Sequence, residues 1–160
     1  MWPLVGIIVL AVLDQATKFR IANSLRYGEQ VEIIPGFFNL TYLHNTGAAF
    51  SIFQDQGTFL AAVSLVVILV LAFGYRHFVG ESTYLRWTYT FLTGGILGNL
   101  IDRVKYRYVI DFLDVYVGDY HWPAFNVADS AICIGVGLYL LYSFFHPADP
   151  APPVDTEKAT

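Results

Sequence analysis

The chain has 160 residues, of which 56% are hydrophobic and only 14% charged, and its mean hydropathy is +0.51, which is the composition of a membrane protein and excludes an ordinary soluble domain. A net charge of −4 with nine scattered Lys and Arg offers no basic surface for nucleic acid. The lone cysteine, Cys133, excludes an intrachain disulfide framework and a cysteine-built zinc site, and reads as a small side chain facing lipid or core.

Four segments approach the roughly 20 residues that cross a bilayer, at 3–22, 57–75, 87–104 and 123–145. They predict an all-α membrane protein of four transmembrane helices. The first apolar run begins at Trp2 without a basic flank and leads into Asp14 instead of a small-residue cleavage site, so it reads as a retained helix and not as a removed signal peptide. Asp14 and Lys18 lie four apart on one helical face. The plain account is a structural ion pair with Lys18 snorkelling outward; the functional one is a pair that orients loops or binds substrate backbone.

Residues 27–56 follow. Val31 and Ile33, then Pro35-Gly36, then Phe38, Leu40 and Tyr42 predict short strands around a turn. Open strand edges do not survive in lipid, so this β-like platform belongs at the interface or outside. His44-Asn45-Thr46-Gly47-Ala48-Ala49-Phe50 comes next, with Gly47 suited to a tight turn. His44, His77, His121 and His146 share no metal-ligand spacing and read as interfacial or loop residues.

The span 57–75 is uncharged, and the loop 76–86 after it is bland. In the third span Gly94 and Gly98 have a small-xxx-small spacing that lets helices approach closely. Packing explains the glycines but not Asn99, Asp102 and Arg103, which put an amide, a carboxylate and a guanidinium on one face at a depth where polar groups are costly. The segment 105–121 contains Asp111 and Asp114 and reads as extended or interfacial structure. Asp129 then heads the uncharged run 130–145, and the proline-rich, charged tail 147–160 reads as disordered and dispensable.

Depth sorts these residues. At about 1.5 Å per residue Asp14 lies roughly 18 Å along the first span, Asp102 is far along the third, and Asp129 is near the start of the fourth. In an up-down-up-down bundle all three fall on one membrane side, together with the strand-like unit and Asp111. Two carboxylates in a partly dry site can share a proton, one acting as base on water while the other acts as acid. Asp129 with Asn126 at i−3, and Asp111 between apolar neighbours, are the first candidates; Asp114 and Asp119 are the alternatives.

In chain order, Asp14-Gln15 with Lys18, Asn45-Thr46-Gly47-Ala48-Ala49-Phe50, Gly94-Gly95 with Gly98-Asn99 and Asp102-Arg103, Val109-Ile110-Asp111-Phe112, and Phe125-Asn126-Val127-Ala128-Asp129 resemble the lipoprotein signal peptidase (signal peptidase II) family of bacterial membrane aspartyl peptidases. No single block is decisive; the five together, at these spacings, are specific. The resemblance implies removal of the signal peptide from a prolipoprotein whose Cys carries diacylglycerol, by cleavage just before that Cys. It implies Asp111 and Asp129 as the catalytic pair. Asn45, Gly47, Asn99, Arg103 and Asn126 would hold substrate backbone or shape the site, with Asp14, Lys18 and Asp102 in support. It further implies no metal or organic cofactor, and as partners diacylglyceryl-prolipoproteins, membrane lipids and globomycin-type inhibitors. The chain would be a monomer, with residues 1–146 forming one polytopic peptidase domain in the bacterial cytoplasmic (inner) membrane, both termini cytoplasmic and the site facing outward.

One count disagrees with that orientation. Lys18, Arg20, Arg26, Arg103, Lys105 and Arg107 fall on the inferred outer side, against Arg76 and Arg86 near the inner span ends. The competing function is a small proton- or ion-coupled transporter, which predicts acids near the midplane and internal repeats, neither of which the sequence shows. A non-catalytic membrane scaffold, tolerant of losing Asp111 and Asp129, is the third.

Overall fold

The computed structural model describes residues 2–48 and 52–146. Ala49 and Phe50 of the second motif, and the tail 147–160, lie outside the described residues. The element order is α1 (Trp2–Ser24), β1 (Gln30–Ile34), β2 (Phe38–Asn45), α2 (Gly57–Val79), α3 (Thr83–Tyr106), β3 (Val109–Val117), β4 (Tyr120–His121) and α4 (Val127–Phe145).

Each predicted span is a helix, with shifted ends. α2 and α3 take up most of the expected 76–86 loop. Ser82 starts α3 by accepting from the Leu85 amide at 3.3 Å. The fourth helix begins at Val127 and not at 123, because Asn126 caps it and the preceding residues do something else. They run along β3: the Trp122 amide donates to the Val115 carbonyl at 2.8 Å and the Phe125 amide to Leu113 at 3.0 Å.

α3 is the central helix, packed on α1, α2 and α4. Glycines make this possible. A methyl at Gly95 would stand 2.4 Å from the Ala128 carbonyl oxygen, one at Gly94 would stand 2.9 Å from Leu10, and one at Gly98 would meet the Asp14 carboxylate at 2.7 Å. The expected close approach at Gly94 and Gly98 is therefore present, and Gly95 belongs to it.

α2 and α4 are long and apolar enough to cross a membrane; α1 and α3 carry the polar residues that dilute their hydropathy. Large apolar side chains such as Phe73 (87% exposed) and Phe144 (79%) point away from the bundle, a surface that water would not tolerate but lipid would.

The four strands form one antiparallel sheet in the order β1-β2-β3-β4. Sequence reading separates a β-like platform from a second outer segment; the structure joins them, with Leu43 opposite Asp111 and Asn45 opposite Val109. The β1–β2 turn passes through Gly36 at φ +75°, where a side chain would be strained.

Candidate active site

Asp111 sits on β3, buried, and its two oxygens are each held by an asparagine amide. Asn45 Nδ2 donates to Oδ2 at 3.0 Å, and Asn126 Nδ2 to Oδ1 at 2.7 Å. Asp129 lies in the first turn of α4, within a capping box. The Asp129 amide donates to Asn126 Oδ1 at 2.9 Å, and the Asn126 amide returns a bond to Asp129 Oδ2 at 3.2 Å. Its other oxygen accepts from Asn99 Nδ2 at 2.7 Å.

The three asparagines share a design. Each side-chain oxygen is engaged by a structural donor, which leaves the NH2 end for a carboxylate. Asn45 Oδ1 accepts from the Gly47 amide at 3.0 Å, Asn126 Oδ1 from the Asp129 amide, and Asn99 Oδ1 from Lys18 Nζ at 2.9 Å.

Lys18 does not snorkel. It is 1% exposed, and its ammonium meets Asp14 Oδ2 at 2.8 Å and Asp102 Oδ2 at 2.9 Å in addition to Asn99, so its three N–H donors have three acceptors. Both acids reach onward. Asp14 Oδ1 accepts the Ala128 amide at 2.9 Å, satisfying a first-turn donor of α4, and Asp102 Oδ2 accepts the Ile110 amide at 3.1 Å. The ion triad thus pins the elements that carry Asp129 and Asp111. Gln15 completes it, donating to Asp102 Oδ1 at 2.8 Å and to the Gly98 carbonyl at 3.1 Å. Sequence reading placed Gln15 in a motif without a role; its position one residue from Asp14 was the available signal.

Asp111 and Asp129 line one cavity of about 780 Å³, with Asn45, Asn99, Arg103 and Phe125 among its walls. Ser64 of α2, Ile96 of α3, and Asp129 and Cys133 of α4 also line it. Cys133 therefore faces the cavity and not the core, one helical turn from Asp129. Arg103 Nη2 donates to the Gly47 carbonyl at 3.0 Å, fixing the loop beside Asn45. Among the described residues, no three His, Cys, Asp or Glu side chains gather where a metal ion could be held.

Burial pushes the Asp111 carboxyl up to about 7, and the neighbouring Asp129 charge adds to the rise against the opposing amide hydrogen bonds. A proton near neutral pH therefore has a place in this pair.

The other acids stand apart. Asp114 is buried and takes bonds from Asn39 Nδ2 at 2.9 Å and His121 Nδ1 at 2.8 Å; Asp119 is exposed in the β3–β4 turn. Of the histidines expected at interfaces or in loops, His44 lies in β2, stacked on Tyr108 at 3.8 Å, His121 lies in β4 and His77 in the last turn of α2.

Residues 6–145 match the family model described as signal peptidase (SPase) II. The chain belongs to the signal peptidase II family. It is 45% identical over 141 residues to the lipoprotein signal peptidase of Syntrophotalea carbinolica, covering 86% of this chain and 87% of that one. It is 48% identical over 130 residues to the lipoprotein signal peptidase of Geobacter sulfurreducens, covering 79% and 81%. Its fold is similar to a bacterial membrane enzyme solved by the in meso method at 2.3 Å resolution, with a TM-score of 0.83 and 31% identity over 94% of this chain and 93% of that chain. A second such structure, at 1.9 Å, gives a TM-score of 0.81 at 31% identity, with 91% and 94% covered. Family membership makes the chain a membrane-associated protease, and nothing in these comparisons supports the transporter alternative.

Proposed function

We propose that this chain is an aspartyl endopeptidase that removes the signal peptide from diacylglyceryl-modified prolipoproteins, cleaving just before the lipidated cysteine. The observation that carries the reading is the placement of Asp111 and Asp129, from separate elements, on one cavity, each held by amides; among the described residues neither forms an ion pair. Amide donors orient a carboxylate without taking away its capacity to exchange a proton.

In this reading Asp111 holds the shared proton and Asp129 is ionised. Water attacks the scissile carbonyl carbon as Asp129 takes a water proton and Asp111 donates to the carbonyl oxygen. The tetrahedral diol then collapses: the C–N bond breaks, Asp129 returns its proton to the leaving amine, and Asp111 regains one from a diol hydroxyl. The asparagines shape the site by holding the two carboxylates, and Arg103 does so by holding the loop at Gly47.

Four transmembrane helices, with residues 1–146 as one domain, give this site its setting: both termini cytoplasmic and the sheet extracytoplasmic. α2 packs on α3 and not substantially on α4, so the cavity lined by Ser64 and Cys133 gives a lipid-anchored chain a sideways path to the aspartates. The contrary charge count weakens once Lys18 and Arg103 are set aside as parts of the site. Globomycin-type peptides would occupy the same cavity, and the chain acts as a monomer. The test is incubation of the purified protein with diacylglyceryl-prolipoprotein and with its unlipidated form, read on a gel; cleavage of neither would sink the reading.

A further inference from the structure

Outside the aspartate cavity the structure holds a second polar cluster, on the sheet. Asp114 of β3 is 3% exposed and accepts from Asn39 Nδ2 at 2.9 Å. His121 Nδ1 faces both of its oxygens, at 2.8 and 3.0 Å. The imidazole lies flat on Tyr116, with centroids 4.8 Å apart and planes 7° off parallel. Tyr116 in turn donates to Glu32 Oε1 at 2.7 Å and accepts the Gly36 amide at 3.0 Å. All four strands meet in this cluster.

His121 is also where the chain turns toward the cavity. The next four residues, Trp122, Pro123, Ala124 and Phe125, all line it, and the fifth, Asn126, donates to Asp111. Among the described residues, backbone bonds tie this stretch to β3 at Trp122, whose amide donates to Val115, and at Phe125, which exchanges bonds with Leu113 and accepts the Phe112 amide. Pro123 has no amide to give. Pro123 and Ala124 thus lie between the Trp122 bond at one end and the three Phe125 bonds at the other, and the side chain at the head of the stretch anchors it further. His121 does this by a hydrogen bond to a buried carboxylate, the strong kind.

We propose that His121, locked on Asp114, is a positioning residue for peptide cleavage: it sets the register of residues 122–125 against β3 and hence the shape of the cavity wall beside Asp111. The inference rests on the peptidase reading. It predicts a defect in holding substrate and not in the chemistry, because Asn126 keeps its own cap bonds on α4 and continues to hold Asp111.

The experiment is steady-state cleavage of a diacylglyceryl-prolipoprotein by the full chain and two variants. His121→Phe keeps the ring on Tyr116 but brings no donor to Asp114; His121→Asn supplies an amide N–H near the position of Nδ1. With His121→Phe, KM should rise about fivefold or more with kcat within about twofold of the unaltered chain, the pattern of lost uniform binding. With His121→Asn, KM should return to within about twofold. Equal KM for both variants, or a fall in kcat at constant KM, would overturn the proposal. If His121→Phe does not fold, His121→Phe with Asp114→Asn, which leaves no buried unpaired charge, is held to the same criteria. Failure of the unaltered chain to cleave would count against the peptidase reading itself, so the two failures are distinct.

Discussion

Lys18 donates to the side-chain oxygen of Asn99 at 2.9 Å, and that bond decides which end of the amide meets Asp129. With the oxygen occupied, Nδ2 is left to donate to Asp129 Oδ1 at 2.7 Å. A cation on α1 thus orients a carboxylate on α4 through an amide on α3, and through Asp14 and Asp102 it also ties down the elements bearing both members of the pair.

Removing Lys18 should therefore be felt twice. Lys18→Met keeps the stem but leaves two buried carboxylates without their cation, which should cost about 3–5 kcal/mol of stability and appear as a lower melting temperature in detergent. Asn99→Ser should slow cleavage and lower the melting temperature less than Lys18→Met does, because it takes one acceptor from Lys18 but leaves the Asp14 and Asp102 ion pairs in place. Asn99→Asp should be worse than Asn99→Ser, because it aims an oxygen at Asp129. Equal activity in the two Asn99 variants would remove the amide from the site.

Asp111→Asn and Asp129→Asn should each abolish cleavage without unfolding the bundle, since an amide keeps the shape but cannot exchange the shared proton. Asp114→Asn should retain substantial activity, because its partners Asn39 and His121 can still bond to an amide. Near-normal turnover in either of the first two variants, in the gel assay, would refute the pair.

The limits of the sequence reading follow from what spacing encodes. Helix existence was legible because apolar length is a local property, and the asymmetry of the acids followed from counting along each span. The union of β2 with β3 was not legible, because pairing between strands more than sixty residues apart leaves no local trace. Asn45, Asn99 and Asn126 stood out as amides in motifs, but their shared orientation depends on a lysine, a glycine amide and a helix cap that only the fold assembles. The outward-snorkelling alternative for Lys18 failed for a related reason: i,i+4 spacing shows Asp14, whereas Asp102 and Asn99 come from another helix and make burial affordable.

The glycines of α3 and α4 should separate by what a methyl would meet. Gly95→Ala places a carbon 2.4 Å from the backbone oxygen of Ala128, which cannot rotate away, and should lower the melting temperature. Gly137→Ala meets nothing within 4 Å and should be neutral or stabilising, by up to about 1 kcal/mol of helix propensity. The reverse order in thermal melts would contradict the packing of α4 on α3.

Topology is open to a labelling test. Glu29→Cys and Glu81→Cys, each in a Cys133→Ser background, place single thiols at opposite ends of the bundle on exposed positions; Glu29 is used because its neighbour Gly28 has φ +79° and would strain a side chain. An impermeant thiol reagent applied to spheroplasts should modify the first without permeabilisation and the second only after it. The opposite pattern would vindicate the count of Lys and Arg and turn the site away from its substrate.

The proton shared by Asp111 and Asp129 sets a pH window. Burial and the Asp129 charge raise Asp111 from 3.8 to about 7, so the folded state holds a proton there that the unfolded chain releases. Its contribution to stability is fully present below the unfolded value and is lost as pH rises through about 7; Asp111→Asn should flatten that part of the stability profile. Cleavage needs one proton on the pair: with both acids ionised there is no donor, and with both protonated there is no base. The rate should fall on the alkaline side as the pair loses its last proton, and on the acid side as it gains a second, with both limits belonging to the pair and not to either residue. A bound ion that activated water would instead make the rate sensitive to chelation. The measurement is the pH profile of cleavage with and without EDTA, using a substrate and detergent stable across the range. A two-sided profile indifferent to EDTA is expected, whereas inhibition by EDTA reversed on adding metal would rule out the two-aspartate mechanism.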